Sequence, residues 1–98
     1  MDDQSLRDRA WIGDAILALY AREWLLQQGV PPGDERRELF THFTSNQFLS
    51  ALGDPTRIEA KIGLVYLEEG KEGAFQFISE VILPLFLRQL QKRGGWQA

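Results

Sequence analysis

The sequence contains no cysteine. That excludes disulfide frameworks, thiolate zinc sites and cysteine nucleophiles together, and it suits a reducing cytoplasm. Histidine occurs once, as His42, with no partner motif, so a structural role is expected for it and no Ser–His–Asp or Cys/His metal spacing can be drawn. There is no glycine-rich phosphate loop. The most apolar stretch, Val81 to Leu87, is far too short to span a bilayer and contains Pro84, so no membrane partner is expected. The opening Met1-Asp2-Asp3-Gln4 has the wrong charge for a signal peptide, and a cytoplasmic location is the expectation. A basic excess is missing too. Eleven Lys and Arg stand against 14 Asp and Glu, for a net charge of −3. Phosphate neutralisation supplies much of nucleic-acid affinity, so composition alone argues against that partner. No stretch alternates with period two for the length of a strand, and no repeat, low-complexity segment or linker is present.

What remains is an ordinary globular composition, with 44% hydrophobic and 26% charged residues in 98, enough for one domain over 1–98 with a modest core. Ile12, Ile16, Leu19, Tyr20 and Leu26 recur at three- and four-residue steps, predicting a helix from about Ser5 to Gln28 closed by Gly29. After the Pro31-Pro32-Gly33 turn, Asp34 is the expected N-cap of a short helix reaching Phe43. Thr44 or Ser45 would cap the next, through Leu52. Asp54-Pro55 places a cap and a first-turn proline ahead of a helix running to Glu69 and closed by Gly70. A last helical stretch, Lys71 to Arg93, should bend at Pro84, which cannot donate a backbone hydrogen bond. The fold class is all-α.

Two carboxylates stand out from this frame. Asp14 lies within Trp11-Ile12-Gly13-Asp14-Ala15-Ile16-Leu17, with Ala10, Leu17, Ala18 and Ala21 on its helical face. Glu59 repeats the pattern in Ile58-Glu59-Ala60-Lys61-Ile62-Gly63-Leu64-Val65. Gly13 and Gly63 each cost about 1 kcal/mol of helix propensity against alanine, which a helix tolerates where another backbone must come close. The two helices are therefore expected to cross at these faces and bring Asp14 and Glu59 together. Meeting carboxylates repel unless one takes a proton or a cation bridges them, and Mg²⁺ is a hard cation that prefers oxygen ligands. The bland alternatives are acids at the edge of the core, or acids paired with Lys61 or Arg57.

Ala10-Trp11-Ile12-Gly13-Asp14-Ala15, followed by Leu19-Tyr20-Ala21-Arg22-Glu23-Trp24-Leu25-Leu26, resembles the signature helix of the ribonuclease III family, E-R-L-E-F-L-G-D-A-V-L. It is closer still to the Mini-III branch, catalytic domains without a double-stranded RNA-binding module, where the stretch is similar to L-A-Y-I-G-D-A-V. Thr44-Ser45-Asn46-Gln47-Phe48-Leu49 resembles the family's V-S-N-x-x-L-A helix start, and Thr56-Arg57-Ile58-Glu59-Ala60-Lys61-Ile62-Gly63 with Tyr66-Leu67 its second acidic motif, F-E-A-L-I-G-x-x-Y-L. Gly70, Ala74 and Phe77-Ile78 fit the helix that follows. The likeness covers nearly the whole chain in order. It implies a minimal ribonuclease III-like helical endonuclease domain, with Asp14 and Glu59 as catalytic residues and Mg²⁺ ligands. The reaction implied is phosphodiester hydrolysis of double-stranded or structured RNA by a homodimer, ribosomal RNA processing being one such role. Trp11 falls where the family has an aromatic residue that helps lock the dimer; otherwise it is a core aromatic. The alternative is a non-catalytic dimer of this type that serves as an RNA-binding or assembly module.

The departures from the family pattern are specific. Ala10 stands where family enzymes carry a glutamate four residues before the catalytic aspartate, and Thr56 where they carry an aspartate before the second glutamate; both also match the Mini-III pattern. Lys61 replaces a usual leucine two residues from Glu59, where it could take the place of a cation. Between Leu52 and Pro55 almost nothing remains of a helix and loop that supply basic residues in Mini-III. Arg88, Lys92 and Arg93 could touch phosphates or only complement a helix dipole, and Arg36 and Arg37 are expected on a solvated face beside Glu35 and Glu38.

Overall fold

The computed structural model describes residues 2–92, and among them every regular element is helical. Helix α1 spans Asp3–Gln27. The Asp2 carboxylate accepts from the Ser5 N–H at 2.7 Å, which satisfies an orphan amide of the first turn. The same contact holds the Asp2 carboxyl below its usual range. Gly29 closes α1 with φ 73°, a left-handed conformation that suits glycine, and turns the chain so that the Val30 N–H reaches the Leu25 carbonyl at 3.2 Å.

Helix α2 spans Asp34–Thr44, and Gly33 rather than Asp34 precedes its first turn, with no side-chain cap. Asp34 sits inside that turn, where its charge complements the helix dipole, and pairs with Arg37 one turn on. Arg36 is not on a solvated face as expected. It is half-buried, and its Nε and Nη2 donate to the Val30 carbonyl at 3.2 and 3.1 Å, strapping α2 to the end of α1. Ser45 ends α2 and starts α3, Asn46–Leu49. Its Oγ donates to the His42 carbonyl at 2.9 Å and accepts from the Phe48 N–H at 3.1 Å. Helix α3 stops at Leu49, short of the expected Leu52, because the chain turns at 50–53 into the next cap. Asp54 accepts from the Arg57 N–H at 3.0 Å and Pro55 opens α4, as the sequence implied.

Helix α4 spans Pro55–Phe77, with a break at Gly70 (φ 77°, ψ −170°). Gly70 thus closes one helical segment, as the sequence implied, and the next begins at Lys71 across the kink. A π-helical turn, Ile78–Ile82, leads into α5, Leu83–Lys92. Pro84 accounts for the irregularity: it offers no N–H to the Glu80 carbonyl, and the turn before it widens so that the Leu83 N–H bonds the Ile78 carbonyl. Arg93, the expected end of this stretch, lies outside the described residues.

Phe86 is the centre of the core. It is fully buried and packs edge-on to Phe43 at 4.6 Å, Phe48 at 5.7 Å and Trp24 at 5.8 Å between ring centroids. Such pairings add to the burial of apolar area that drives the packing. Tyr20 stacks on Phe43, and its hydroxyl meets Ser79 Oγ at 2.8 Å, so the one polar atom it carries inward has a partner. Burial also pushes the phenol pKa up. No helix among the described residues is long and apolar enough to cross a membrane.

Candidate active site

Helices α1 and α4 cross at Gly13 and Gly63. A Cβ on Gly13 would overlap the Glu59 carbonyl oxygen and lie 2.7 Å from the Glu59 carbonyl carbon and 3.0 Å from the Gly63 nitrogen. A Cβ on Gly63 would overlap the Arg9 carbonyl oxygen and lie 2.9 Å from its carbon and 3.2 Å from the Gly13 nitrogen. Each glycine thus receives one turn of the other helix's backbone, and this explains two residues that local propensity disfavours.

The crossing aligns the acids. Gly13 abuts the backbone of Glu59 itself, and Asp14 is the next residue, so the two side chains leave the contact side by side. Their carboxyl groups lie within hydrogen-bonding reach of one another. The pair sits at the rim of the core: Asp14 is exposed and Glu59 half-buried. Burial first, then the hydrogen-bonded contact with Asp14 and then the Asp14 charge, push the Glu59 pKa from 4.5 to about 7. All three causes act in one direction.

Among the described residues no basic side chain pairs with this charge. The ion pairs among the described residues are Asp34–Arg37 and Glu23–Lys71, the latter at 3.1 Å; neither involves Asp14 or Glu59. Lys61 and Arg57 are both exposed, and neither forms an ion pair with Asp14 or Glu59. The paired-acid alternatives through Lys61 or Arg57 are therefore not what the structure contains. Chemically the site offers carboxylate oxygens to a ligand that brings positive charge or a proton. Mg²⁺ fits that donor set, since it binds through one or two carboxylates and retains several waters, for which the exposed side of Asp14 leaves room. Among the described residues no group of three or more His, Asp or Glu side chains gathers around a single point.

The other singled-out residues lie apart from the acids. Trp11 is 80% exposed, which removes the core-aromatic reading. His42 is half-buried, packs edge-on to Phe48 and Phe86, and its Nε2 lies 2.8 Å from Gln89 Oε1, an arrangement consistent with a structural residue. It borders a groove of about 630 Å³, together with Arg37, Gln47 and Gln89; neither acid lines it. Arg88 is exposed on α5 and Lys92 is in its last turn.

A further feature had no signal in the linear sequence. The Leu25, Leu26 and Phe40 side chains, with Arg22 and Arg36, line an apolar cavity of about 460 Å³ between α1 and α2. It arises only from the packing of those helices. Compared with family models, curated proteins and solved structures, the chain matches none.

Proposed function

We propose that the chain is a minimal ribonuclease III-like domain, a Mg²⁺-dependent endoribonuclease that acts as a homodimer on double-stranded or structured RNA, with ribosomal RNA precursors in its substrate class. One observation carries the reading: Asp14 and Glu59, the acids of the two motif-like segments, meet across the glycine crossing with no basic counter-ion among the described residues.

Asp14 and Glu59 would hold the ion. When bound, it supplies a Lewis acid that lowers the pKa of a coordinated water and offsets charge on the phosphate. Glu59 must give up its proton to ligate, so occupancy should rise as pH climbs through about 7. Helix crossing fixes both carboxylates from opposite sides of one rigid contact, and such preorganisation is what positions a hydrolytic water. The exposed Trp11 is consistent with a surface that a second copy covers.

The test is cleavage of duplex RNA in Mg²⁺ by the wild type, Asp14→Asn and Glu59→Gln. Activity in the first and its loss in both variants is expected; unchanged cleavage by either variant would refute the site. A second reading is favoured by the near-absent segment between Leu52 and Pro55: a non-catalytic dimer that serves as an RNA-binding or assembly module. Wild-type protein that binds duplexes without cutting them, and shows no Mg²⁺-dependent change in the Asp14 and Glu59 carboxyl resonances, would select it.

A further inference from the structure

The cavity of about 460 Å³ between α1 and α2 joins an apolar interior to a basic rim. Its volume lies within the range of small-molecule pockets, about 300–1,000 Å³. Helix α1 contributes Arg22 and, one turn on, Leu25 and Leu26; α2 contributes Arg36 and Arg37 and, one turn on, Phe40. Basic and apolar side chains thus follow one another at helical spacing on both walls. Leu25 is buried and Phe40 half-buried, while Leu26 is 62% exposed and stands at the opening. Among the described residues that line the space, the Thr41 hydroxyl is the one uncharged polar side-chain group, and no carboxylate is present.

The three arginines are not equivalent. Arg37 is already paired with Asp34. Arg22 and Arg36 form no ion pair among the described residues. The Arg22 guanidinium lies 4.3 Å from the centre of the Phe40 ring, whose π-face attracts a cation without cancelling its charge. Arg36 is half-buried, and the Val30 carbonyl that accepts from its Nε and Nη2 carries no net charge. Further donors of the guanidinium fork remain. A partly buried guanidinium beside apolar surface favours an anion, and a planar carboxylate matches its fork. The lining then selects the rest of the ligand. An apolar side chain from another protein would cover both cations and supply no counter-charge. A nucleic-acid backbone would supply charge and leave Leu25, Leu26 and Phe40 wet. A hydrocarbon body that ends in a carboxylate satisfies both halves.

We infer that the α1–α2 cavity is a binding site for a small amphiphilic carboxylate, its head on the Arg22 and Arg36 guanidinium groups and its hydrocarbon body over Leu25, Leu26 and Phe40. The site is separate from the acid pair, since Arg22 lies eight residues beyond Asp14, about 12 Å along α1. It goes beyond RNA hydrolysis and does not depend on it; the acid-pair variants test that reading separately. Binding would also tie the end of α1 to the start of α2, because the ligand touches both helices.

Decanoate is the probe, titrated into the full chain at fixed ionic strength and followed by calorimetry and by the methyl resonances of Leu25 and Leu26. One ligand should bind per chain at micromolar concentration, with resonance shifts centred on the end of α1 and on α2. Decanol, the same body without the charge, should bind about tenfold more weakly or worse, and acetate, the head without the body, should not bind at millimolar concentration. Leu26→Asp and Arg22→Gln both fall at exposed positions and should keep the fold by circular dichroism. Each should lower decanoate affinity about tenfold or more, the first by setting a like charge at the opening, the second by removing a counter-charge. Absence of saturable decanoate binding would overturn the inference. Equal affinity for decanol, shifts centred elsewhere in the chain, or an affinity that either variant leaves unchanged would do the same. Displacement of decanoate by inorganic phosphate at equal concentration would reassign the arginines to phosphate groups and overturn the carboxylate.

Discussion

Asp14→Asn isolates the energetics of the acid pair. The Glu59 pKa rises from 4.5 to about 7, which corresponds to about 3 kcal/mol if taken undamped. Glu59 is only half-buried, so solvent screening reduces this to about 1–2 kcal/mol. The direction follows from proton linkage. With a folded-state value above the unfolded one, the folded protein holds the extra proton between pH 4.5 and about 7; stability falls as pH rises through that window and stays lower above it. Asparagine removes the Asp14 charge and offers an amide donor to the ionised Glu59, leaving burial as the remaining cause. The variant should therefore gain about 1 kcal/mol at pH 8, or about 4–8 °C in Tm for a chain of this size. By pH 5 the gain should vanish, because a protonated Glu59 donates to the Asp14 carboxylate and asparagine is a weaker acceptor. Thermal melts by circular dichroism in chelator, at pH 5 and pH 8, read the difference. A lower Tm at pH 8 would mean that Asp14 is held by a cation after all, and a gain independent of pH would sever it from Glu59.

Three further outcomes follow from the same geometry. Gly13→Ala and Gly63→Ala should each destabilise by about 2–3 kcal/mol in urea titrations despite better helix propensity, because the added methyl meets backbone on the facing helix. Phe86→Ala, which empties the fully buried centre of the ring cluster, should cost about 3–5 kcal/mol by the same measurement. Mg²⁺ should raise the Tm of the wild type more at pH 8 than at pH 6, as deprotonated Glu59 becomes available, and should leave Glu59→Gln unmoved; equal shifts in both proteins would place the ion elsewhere.

Helix positions were largely legible in the sequence because their determinants are local. Asp54-Pro55 and Ser45 cap where a short polar side chain or a ring with fixed φ can act on its own neighbours, and Gly29 and Gly70 adopt positive φ where a turn requires it. The cap of α2 is Gly33, one residue before the Asp34 that the sequence suggests, since either residue suits a helix start. The meeting of Asp14 and Glu59 was legible too, through Gly13 and Gly63: two glycines inside apolar helical segments signal backbone contact before any partner is known.

Tertiary structure alone decided the rest, because it depends on which surfaces face one another. Period and propensity could not say that Trp11 stays in solvent while Trp24 is buried against Phe86, as both sit in helical apolar patterns. They could not say that Arg36 would hold the Val30 carbonyl rather than water, since that bond bridges a loop and a helix. Nor could they exclude Lys61 and Arg57 as partners of the acids: sequence spacing put them within reach, and only the crossing of α1 and α4 turned the carboxylates toward each other, where like charge and partial burial leave a site that favours a proton or a cation.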